Sequence, residues 1–453
     1  MSATDAPDAL AQDLGQHVLN DAERSRSLRK VIWAAGIGHF VEWFDFGLYG
    51  TLAASIAVNF FNTGDSRAAL LASFAVFAAG FIVRPLGGIF WGNVGDRVGR
   101  KTTLATVVLL TAGATFVMGL LPTYHTVGLW APVLLVVVRL VQGFACGGES
   151  SGATTLLAEF APSGRRGFMT SFIDVFGPMA YVAGSGTVLL VSGVFGDSEL
   201  SAWAWRIPFL IAGPLGLVGI YLRTRLEETP EFRALKESGK VQKSSVKASV
   251  STAWRLLLFC VGFVVIKAVA SWLLQTFLPS YFQTYLSYTP RTSYTVTLAC
   301  WLFIAIIVPV VGHLSDRFGR RPFMIAGCIG FIVCTYPVFL LMKVGTFGAA
   351  LGSMIILGLF IALFDGPMNA AMAELFPASI RYGGVSLAYN VSVAIFGGLT
   401  PYFSSWLIKA SGNDTAPAFW VIAAAAISLI AVVSARETAH RPLTLHATTE
   451  ATK

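Results

Sequence analysis

Three titratable residues, His39, Glu42 and Asp45, interrupt an otherwise apolar run. Spacings of three and four put His39, Glu42, Phe46 and Tyr49 on one helical face, with Asp45 at its margin. Two carboxyls this close do not both ionise cheaply, so one can hold a proton near neutral pH, as a proton carrier must. The competing reading is a structural ion pair of Glu42 or Asp45 with Arg84 or Arg139. A second stripe holds Arg139, Gln142, Cys146 and Glu149. The planar fork of Arg139 matches a carboxylate, either a substrate's or that of an acid in the first run. Glu149 lies among Gly147, Gly148, Ser150, Ser151 and Gly152, small residues that let helices approach, and is a further candidate proton site. Asp174, Lys267 and Asp365 are the remaining deep charges, and Lys267 and Asp365 are candidates to pair. Trp272, Gln275, Tyr389 and Asn390 are candidates to line a cavity, where aromatic faces would receive a quaternary ammonium. The alternative for such aromatics is packing or contact with lipid.

Charge in these places is informative because of what surrounds it. Hydrophobic residues make up 55% of the 453 and charged residues only 12%, against about 25% in soluble domains. A water-soluble fold of this size could not cover its surface with so few charges, so lipid is the solvent. An ionisable group at membrane depth costs roughly 2.5–3.5 kcal/mol on insertion scales, which makes function its default explanation. Other chemistries lack their residues. No G-x-x-x-x-G-K-[ST] occurs, and no His/Cys metal spacing or nucleophile elbow. The chain is therefore expected to be no enzyme, to need no cofactor and no metal, and not to be driven by ATP. All five cysteines fall in apolar stretches, as buried thiols.

About 20 apolar residues span a bilayer as a helix. Twelve such stretches are expected, at 31–60, 68–94, 102–121, 131–158, 167–195, 204–223, 256–287, 292–312, 323–342, 347–375, 383–410 and 416–435. The net charge of +8 is not the signature of nucleic-acid binding, because the basic residues cluster in alternate loops. Arg24, Arg26, Arg29 and Lys30, then Arg97, Arg100 and Lys101, then Arg165 and Arg166, and later Arg317, Arg320, Arg321 and Arg381 fall on one side. That asymmetry assigns both termini to the cytoplasm and the protein to the cell membrane. No apolar signal-peptide core precedes Arg29 and Lys30, so the first span is expected to be retained.

The sequence also repeats itself. Gly92-Asn-Val-Gly-Asp-Arg-Val-Gly-Arg-Lys101 aligns without a gap to Gly312-His-Leu-Ser-Asp-Arg-Phe-Gly-Arg-Arg321, each after the second span of its half. Ala158-Glu159-Phe-Ala-Pro162 with Arg166 is echoed by Ala373-Glu374-Leu-Phe-Pro377 with Arg381, each after the fourth. The expected organisation is a tail at 1–30, a six-helix bundle at 31–223, a polar linker at 224–254, a second bundle at 255–436 and a tail at 437–453. Duplicated halves place a binding site near the midplane and rock about it.

The repeated loops resemble the signature of the major facilitator superfamily. Glu42-Trp-Phe-Asp-Phe46, Arg84-Pro-Leu-Gly-Gly88, Arg139-x-x-Gln-Gly143, Gly147-Gly-Glu149, Trp205-Arg-Ile-Pro208 and Leu226-Glu-Glu-Thr-Pro230 together resemble its metabolite:proton symporter family, over about residues 30–442. Within it, Ser315-Asp-Arg-Phe-Gly-Arg-Arg-Pro-Phe323, Gly398-Leu-Thr-Pro401 and Glu437-Thr-Ala-His-Arg-Pro442 are most similar to proline/glycine-betaine transporters. His39 stands where the family usually has Asn, and no heptad coiled coil follows the last span. The resemblance implies an all-α protein of twelve transmembrane helices in two pseudo-symmetric bundles. It implies that Asp96 and Asp316 latch the halves when the cytoplasmic side is closed, with Arg97, Arg100, Arg317 and Arg320 in support. Glu159 with Arg166, and Glu374 with Arg381, would complete the latch.

The function expected is proton-coupled symport of a small zwitterionic osmolyte or organic acid by alternating access, with dicarboxylate, citrate or shikimate as other substrates. An uncoupled facilitator and a membrane enzyme are the competing classes. Glu42, Asp45 and Glu149 are the proton-coupling candidates. His39, Arg139, Gln142, Lys267, Trp272, Gln275, Asp365, Tyr389 and Asn390 are the substrate-binding candidates. The partners expected are the substrate, protons and membrane lipid.

Overall fold

The structure, a computed structural model, describes residues 36, 39–40, 43–98, 100–147, 158, 161, 164–224, 246–376 and 378–439. Glu42, Glu149 and Glu159 lie outside these residues, as do the side chains of Asp96, Arg97, Arg100 and Arg381. All regular structure among the described residues is helical. The described residues of helix α1 are 39–40, 43–51 and, after a break in regularity at Leu52, Ala53–Phe60. It is followed by α2 (Ser66–Val98), α3 (Arg100–Leu120) and α4 (Trp130–Cys146). A short helix, Arg166–Ser171, leads into α5 (Ile173–Phe195), and α6 is Arg206–Thr224. In the second half, α7 (Val246–Trp272) continues through a π-helical segment, Leu273–Phe277, to Thr284. Then come α8 (Pro290–Phe318), α9 (Arg321–Met342) and α10 (Phe347–Leu375). The last two are α11 (Ala378–Ser392), extended through Val393–Gly397 to Thr400–Ser411, and α12 (Pro417–Ser434).

Among the described residues eight helices are long and apolar enough to cross a membrane. Asp197–Ala204 with Arg206–Val218, bent by 62°, makes a ninth, and Ala105–Leu120 and Trp130–Cys146 are shorter apolar helices. With α1 these give the twelve-helix plan. Their outward faces are as apolar as their inward ones: Ile82, Leu86, Ile89, Val137, Val194, Ile306, Val333 and Ile430 are all exposed. A helix that is hydrophobic all round belongs in hydrocarbon.

Several helices run past the ends of their apolar stretches. Helix α8 continues through His313–Phe318 and stops at Gly319, whose φ of +95° breaks the helix without the strain a side chain would bring. Helix α7 begins at Val246, inside the expected linker. Hydropathy reports where hydrocarbon ends. Backbone hydrogen bonding carries the helix further, into the headgroup region.

Within the first half α2 packs on α4, and α3 on α4 and α6. Within the second α8 packs on α10, α9 on α10 and α12, and α7 on α11 and α12. Between halves, α5 and the Arg166–Ser171 helix lie on α8, and α2 lies on Thr400–Ser411. The α2–α4 crossing depends on missing side chains, since a Cβ on Gly143 would stand 1.9 Å from the Gly80 carbonyl oxygen.

Candidate transport pathway and gate

Asp45 on α1 is buried and points into its own half. It faces a small recess shared with Phe40, Phe44, Thr111, Ala112, Thr115, Ala212 and Leu215. Its Oδ1 accepts from Thr115 Oγ1 on α3 at 2.6 Å. Gln142 Nε2 on α4 donates to the same Thr115 oxygen at 3.0 Å, and Arg139 Nη1 donates to Gln142 Oε1. Arg139 thus reaches Asp45 through an amide and a hydroxyl. Its guanidinium lies 3.7 Å from the ring centre of Tyr49 and 5.1 Å from that of Phe77. Its Nε and Nη2 and Asp45 Oδ2 have no hydrogen-bond partner among the described residues.

Beside Arg139 an aromatic cluster fills the space between the halves. Trp43 on α1 stacks on Trp272 on α7, with centroids 5.5 Å apart and planes inclined by 19°. Phe46, Phe77 and Phe81 present edges or tilted faces to Trp272 at 4.9–5.5 Å. Tyr181 on α5 touches both Trp43 and, across the interface, Trp301 on α8 at 4.5 Å. Gln275 Nε2 donates to the Gly47 carbonyl at 3.2 Å, and its Oε1 has no partner among the described residues. His39 Nδ1 accepts from Trp43 Nε1 at 3.1 Å, which fixes the indole in the stack.

Toward the end of the bundle that carries the repeated motifs lies an ionic cluster. Lys267 Nζ on α7 is 2.6 Å from Asp174 Oδ1 on α5 and 3.6 Å from Asp365 Oδ2 on α10. Asn369, one turn beyond Asp365, donates to Asp174 Oδ2. Lys267 and Asp365 are neighbours as expected, but the tighter bond crosses the interface to Asp174. Tyr389 on α11 is within electrostatic reach of Lys267.

The motif end itself is closed. Asp316 in the last turn of α8 accepts Gly167 N–H at 2.8 Å and Phe168 N–H at 2.9 Å, the free donors at the start of the Arg166–Ser171 helix. Arg320 Nη1 is 2.8 Å from Asp316 Oδ1, and Arg320 Nη2 is 3.3 Å from Glu374 Oε1. Arg166 Nη1 reaches Glu374 at 3.7 Å. Glu374 therefore holds Arg320 and, across the interface, Arg166, while the side chain of Arg381, its expected partner, lies outside the described residues. Arg317 is exposed. The approach is close because a Cβ on Gly167 would stand 2.6 Å from the Gly312 carbonyl oxygen. The halves also meet at the other end, where Phe74 packs on Phe277 and Arg67 lies 4.8 Å over the Tyr285 ring and 3.9 Å from Asp414. With contacts at both ends, this is an occluded arrangement.

Sequence reasoning gave no role to Thr115, Tyr181, Trp301 and Asn369, nor to Trp43 and Glu437, which it noted within motifs alone. The carboxylate of Glu437 accepts from the N–H groups of Arg320 and Arg321, each at 3.0 Å, and of Thr438 and Ala439. A Gly-Arg-Arg turn opening a helix, with a lone Glu just after the last span, was the available signal.

Two six-helix halves meeting over a buried, partly polar seam define a transporter. The model of the Major Facilitator Superfamily matches residues 35–379 and 264–452. The chain is 40% identical to the proline/betaine transporter of Escherichia coli K12 over 429 residues, 92% of this chain and 85% of that protein. It is 38% identical to the glycine betaine/proline/ectoine/pipecolic acid transporter OusA of Dickeya dadantii, over 92% and 85% of the two chains. Among solved structures, the partially occluded inward-open xylose transporter XylE of E. coli superposes with a TM-score of 0.70 at 19% identity, covering 91% of this chain and 98% of that one. The chain belongs to the major facilitator superfamily, and it is a multi-pass membrane transporter, not an enzyme.

Proposed function

We propose that this chain is a proton-coupled symporter of a small zwitterion, with proline and glycine betaine as the favoured substrates. The observation that carries the reading is the adjacency of Arg139, with two hydrogen-bond donors unmet among the described residues, to the buried stack of Trp43, Phe46 and Trp272. A carboxylate suits the guanidinium, and a desolvated quaternary or secondary ammonium gains about 2 kcal/mol over aromatic faces. Lys267 is already engaged by two carboxylates, which makes it a poor receptor for the second carboxylate of a dicarboxylate or citrate. The names of the relatives, proline/betaine and glycine betaine/proline/ectoine/pipecolic acid transporters, support the same substrate class.

Coupling is assigned to Asp45, tied to Arg139 through Gln142 and Thr115. With Asp45 protonated and Arg139 occupied by the substrate carboxylate, the buried site is near neutral and the halves can rock at low cost. The termini and the motif end are assigned to the cytoplasm. The test is uptake of labelled proline and glycine betaine into proteoliposomes, with and without an imposed inward proton gradient. Gradient-driven accumulation should be lost in Asp45→Asn while counterflow exchange persists. Uphill accumulation by Asp45→Asn equal to that of the parent would remove Asp45 from the coupling. Trp272→Ala should weaken glycine betaine binding at least tenfold, and Trp272→Phe much less.

A further inference from the structure

We propose that Asp365 is a second proton-binding carboxyl, and that Lys267 expels its proton by passing from Asp174 to Asp365 when the halves part at the motif end. The proposal rests on the symport reading above, but on different residues.

The cluster holds two carboxyls and one ammonium, all buried or nearly so. Its donors are unequally shared. Asp174 receives Lys267 at 2.6 Å and also Asn369. Asp365 has Lys267 only at 3.6 Å, and its Oδ1 has no hydrogen-bond partner among the described residues. A second buried negative charge served this poorly is costly, and a proton on Asp365 removes it. Among the described residues no further hydrogen-bond donor or cation is recorded at Asp365. Helix α8 presents Val311 and Gly312 beside Gly366, and α9 presents Gly327 beside Phe364. Tyr389 from α11 and His39 from α1 face Lys267. Arg320 and Arg166 are bound to Glu374, nine residues and roughly 13 Å further along α10.

The members of the cluster belong to different halves. Asp174 stands on α5, in the first half; Lys267, Asp365 and Asn369 stand on α7 and α10, in the second. Opening at the motif end carries Asp174 away, into water that can solvate its charge. Lys267 stays beside Asp365 and has about an ångström to travel before bonding it. The charges balance throughout. In the closed form Asp174 is an anion, Lys267 a cation and Asp365 neutral. In the open form Lys267 and Asp365 form the ion pair, Asp174 is hydrated, and the Asp365 proton has passed to water in the opened vestibule. Lys267 remains an ammonium in both. On the return the motif end closes with Lys267 still paired to Asp365, and a proton taken up from the opposite side of the membrane then neutralises Asp365 and releases Lys267 to Asp174, so each cycle carries one proton across.

The experiment is the number of protons moved per substrate, read in proteoliposomes from the opposing pH gradient that just halts glycine betaine flux. Asp365→Asn should carry one proton fewer than the parent while its flux remains gradient-driven. An unchanged proton count in Asp365→Asn overturns the assignment. A parent that moves no proton at all sinks the symport reading and this inference with it. Should Asp365→Asn not transport, infrared spectroscopy decides in the purified proteins. A component of the protonated-carboxyl band should vanish in Asp365→Asn and equally in Asp174→Asn, where Lys267 is left to Asp365. Persistence of that component in Asp174→Asn would show that Lys267 does not govern the proton.

Discussion

Thr115 has one hydroxyl hydrogen and two acceptors for it: Asp45 Oδ1 at 2.6 Å and the Thr111 carbonyl at 2.8 Å. The remaining bonds fix which it takes. Arg139 only donates, so Gln142 Oε1 must accept and Gln142 Nε2 must donate to Thr115. When Asp45 is ionised, Thr115 gives its hydrogen to the carboxylate. When Asp45 is protonated, the acid donates to Thr115 and the hydroxyl turns to Thr111. The hydroxyl thus reports the proton on Asp45 to Gln142 and Arg139. Thr115→Val removes a charge-assisted bond from the ionised form and a neutral one from the protonated form, so the ionised form loses about 1–1.5 kcal/mol more. Asp45 then keeps its proton at higher pH, and the pH at which gradient-driven uptake falls by half should rise by about one unit. Thr115→Ser should restore the parent profile. An identical pH profile for Thr115→Val and the parent would mean that Thr115 only packs.

At the scale of elements, Glu437 ties the start of α9 to the chain that leaves α12. Burial alone would raise its pKa. Four backbone N–H bonds, from Ala439, Arg320, Arg321 and Thr438, more than reverse that and hold it below the usual glutamate range. The sign follows: the folded state binds the proton less tightly than the unfolded chain does, so the carboxylate stabilises the fold. That contribution is complete above about pH 4.3, the unfolded value, and is lost as pH falls through the lower folded value. Glu437→Gln should therefore lower Tm at pH 7, and the gap from the parent should close on acidification. A gap that stayed constant down to the acid limit would contradict the linkage. Arg321 makes the companion contact, donating to the carbonyls of Val432 and Val433 at the end of α12. None of this could be foreseen from hydropathy, which is blind beyond the last apolar residue. The same blindness left the end of α8 at residue 312, when the helix carries Asp316 in its last turn. The apolar runs themselves were legible, because a spanning helix must be apolar over its whole length. Lys267, Asp365 and Arg139 stood out as charges among hydrocarbon. Trp43, Tyr181 and Trp301 did not, because an aromatic in an apolar run looks the same facing lipid or facing the partner half. Asp174 was visible as a charge but its partner was not, since spacing along one helix says nothing of which helix lies opposite.

For the whole molecule, the question is what holds two rigid halves closed and how cheaply they part. At the motif end the bonds that cross the interface among the described residues each involve a charged group: Asp316 to Gly167 and Phe168, Arg166 to Glu374, and Lys267 and Asn369 to Asp174. Asp316 is the strongest of these, since one carboxylate takes two backbone donors and is itself held by Arg320. It lies far from the aromatic stack and Arg139. Asp316→Asn keeps the shape, removes the charge, and replaces one acceptor oxygen by a donor that faces an N–H. A charge-assisted bond of this kind is worth about 2 kcal/mol, so the closed form loses roughly thirtyfold in population against the form open at this end. The cost should therefore fall on the cycle. Turnover should drop about tenfold or more while glycine betaine affinity in the substrate-accessible form changes little, and a Ser171→Cys thiol, buried beside Gly312 in the closed form, should become reactive to a water-soluble thiol reagent. An Asp316→Asn protein that bound substrate much more weakly yet cycled at the parent rate would place Asp316 in the binding site and leave the closed end to the remaining ion pairs.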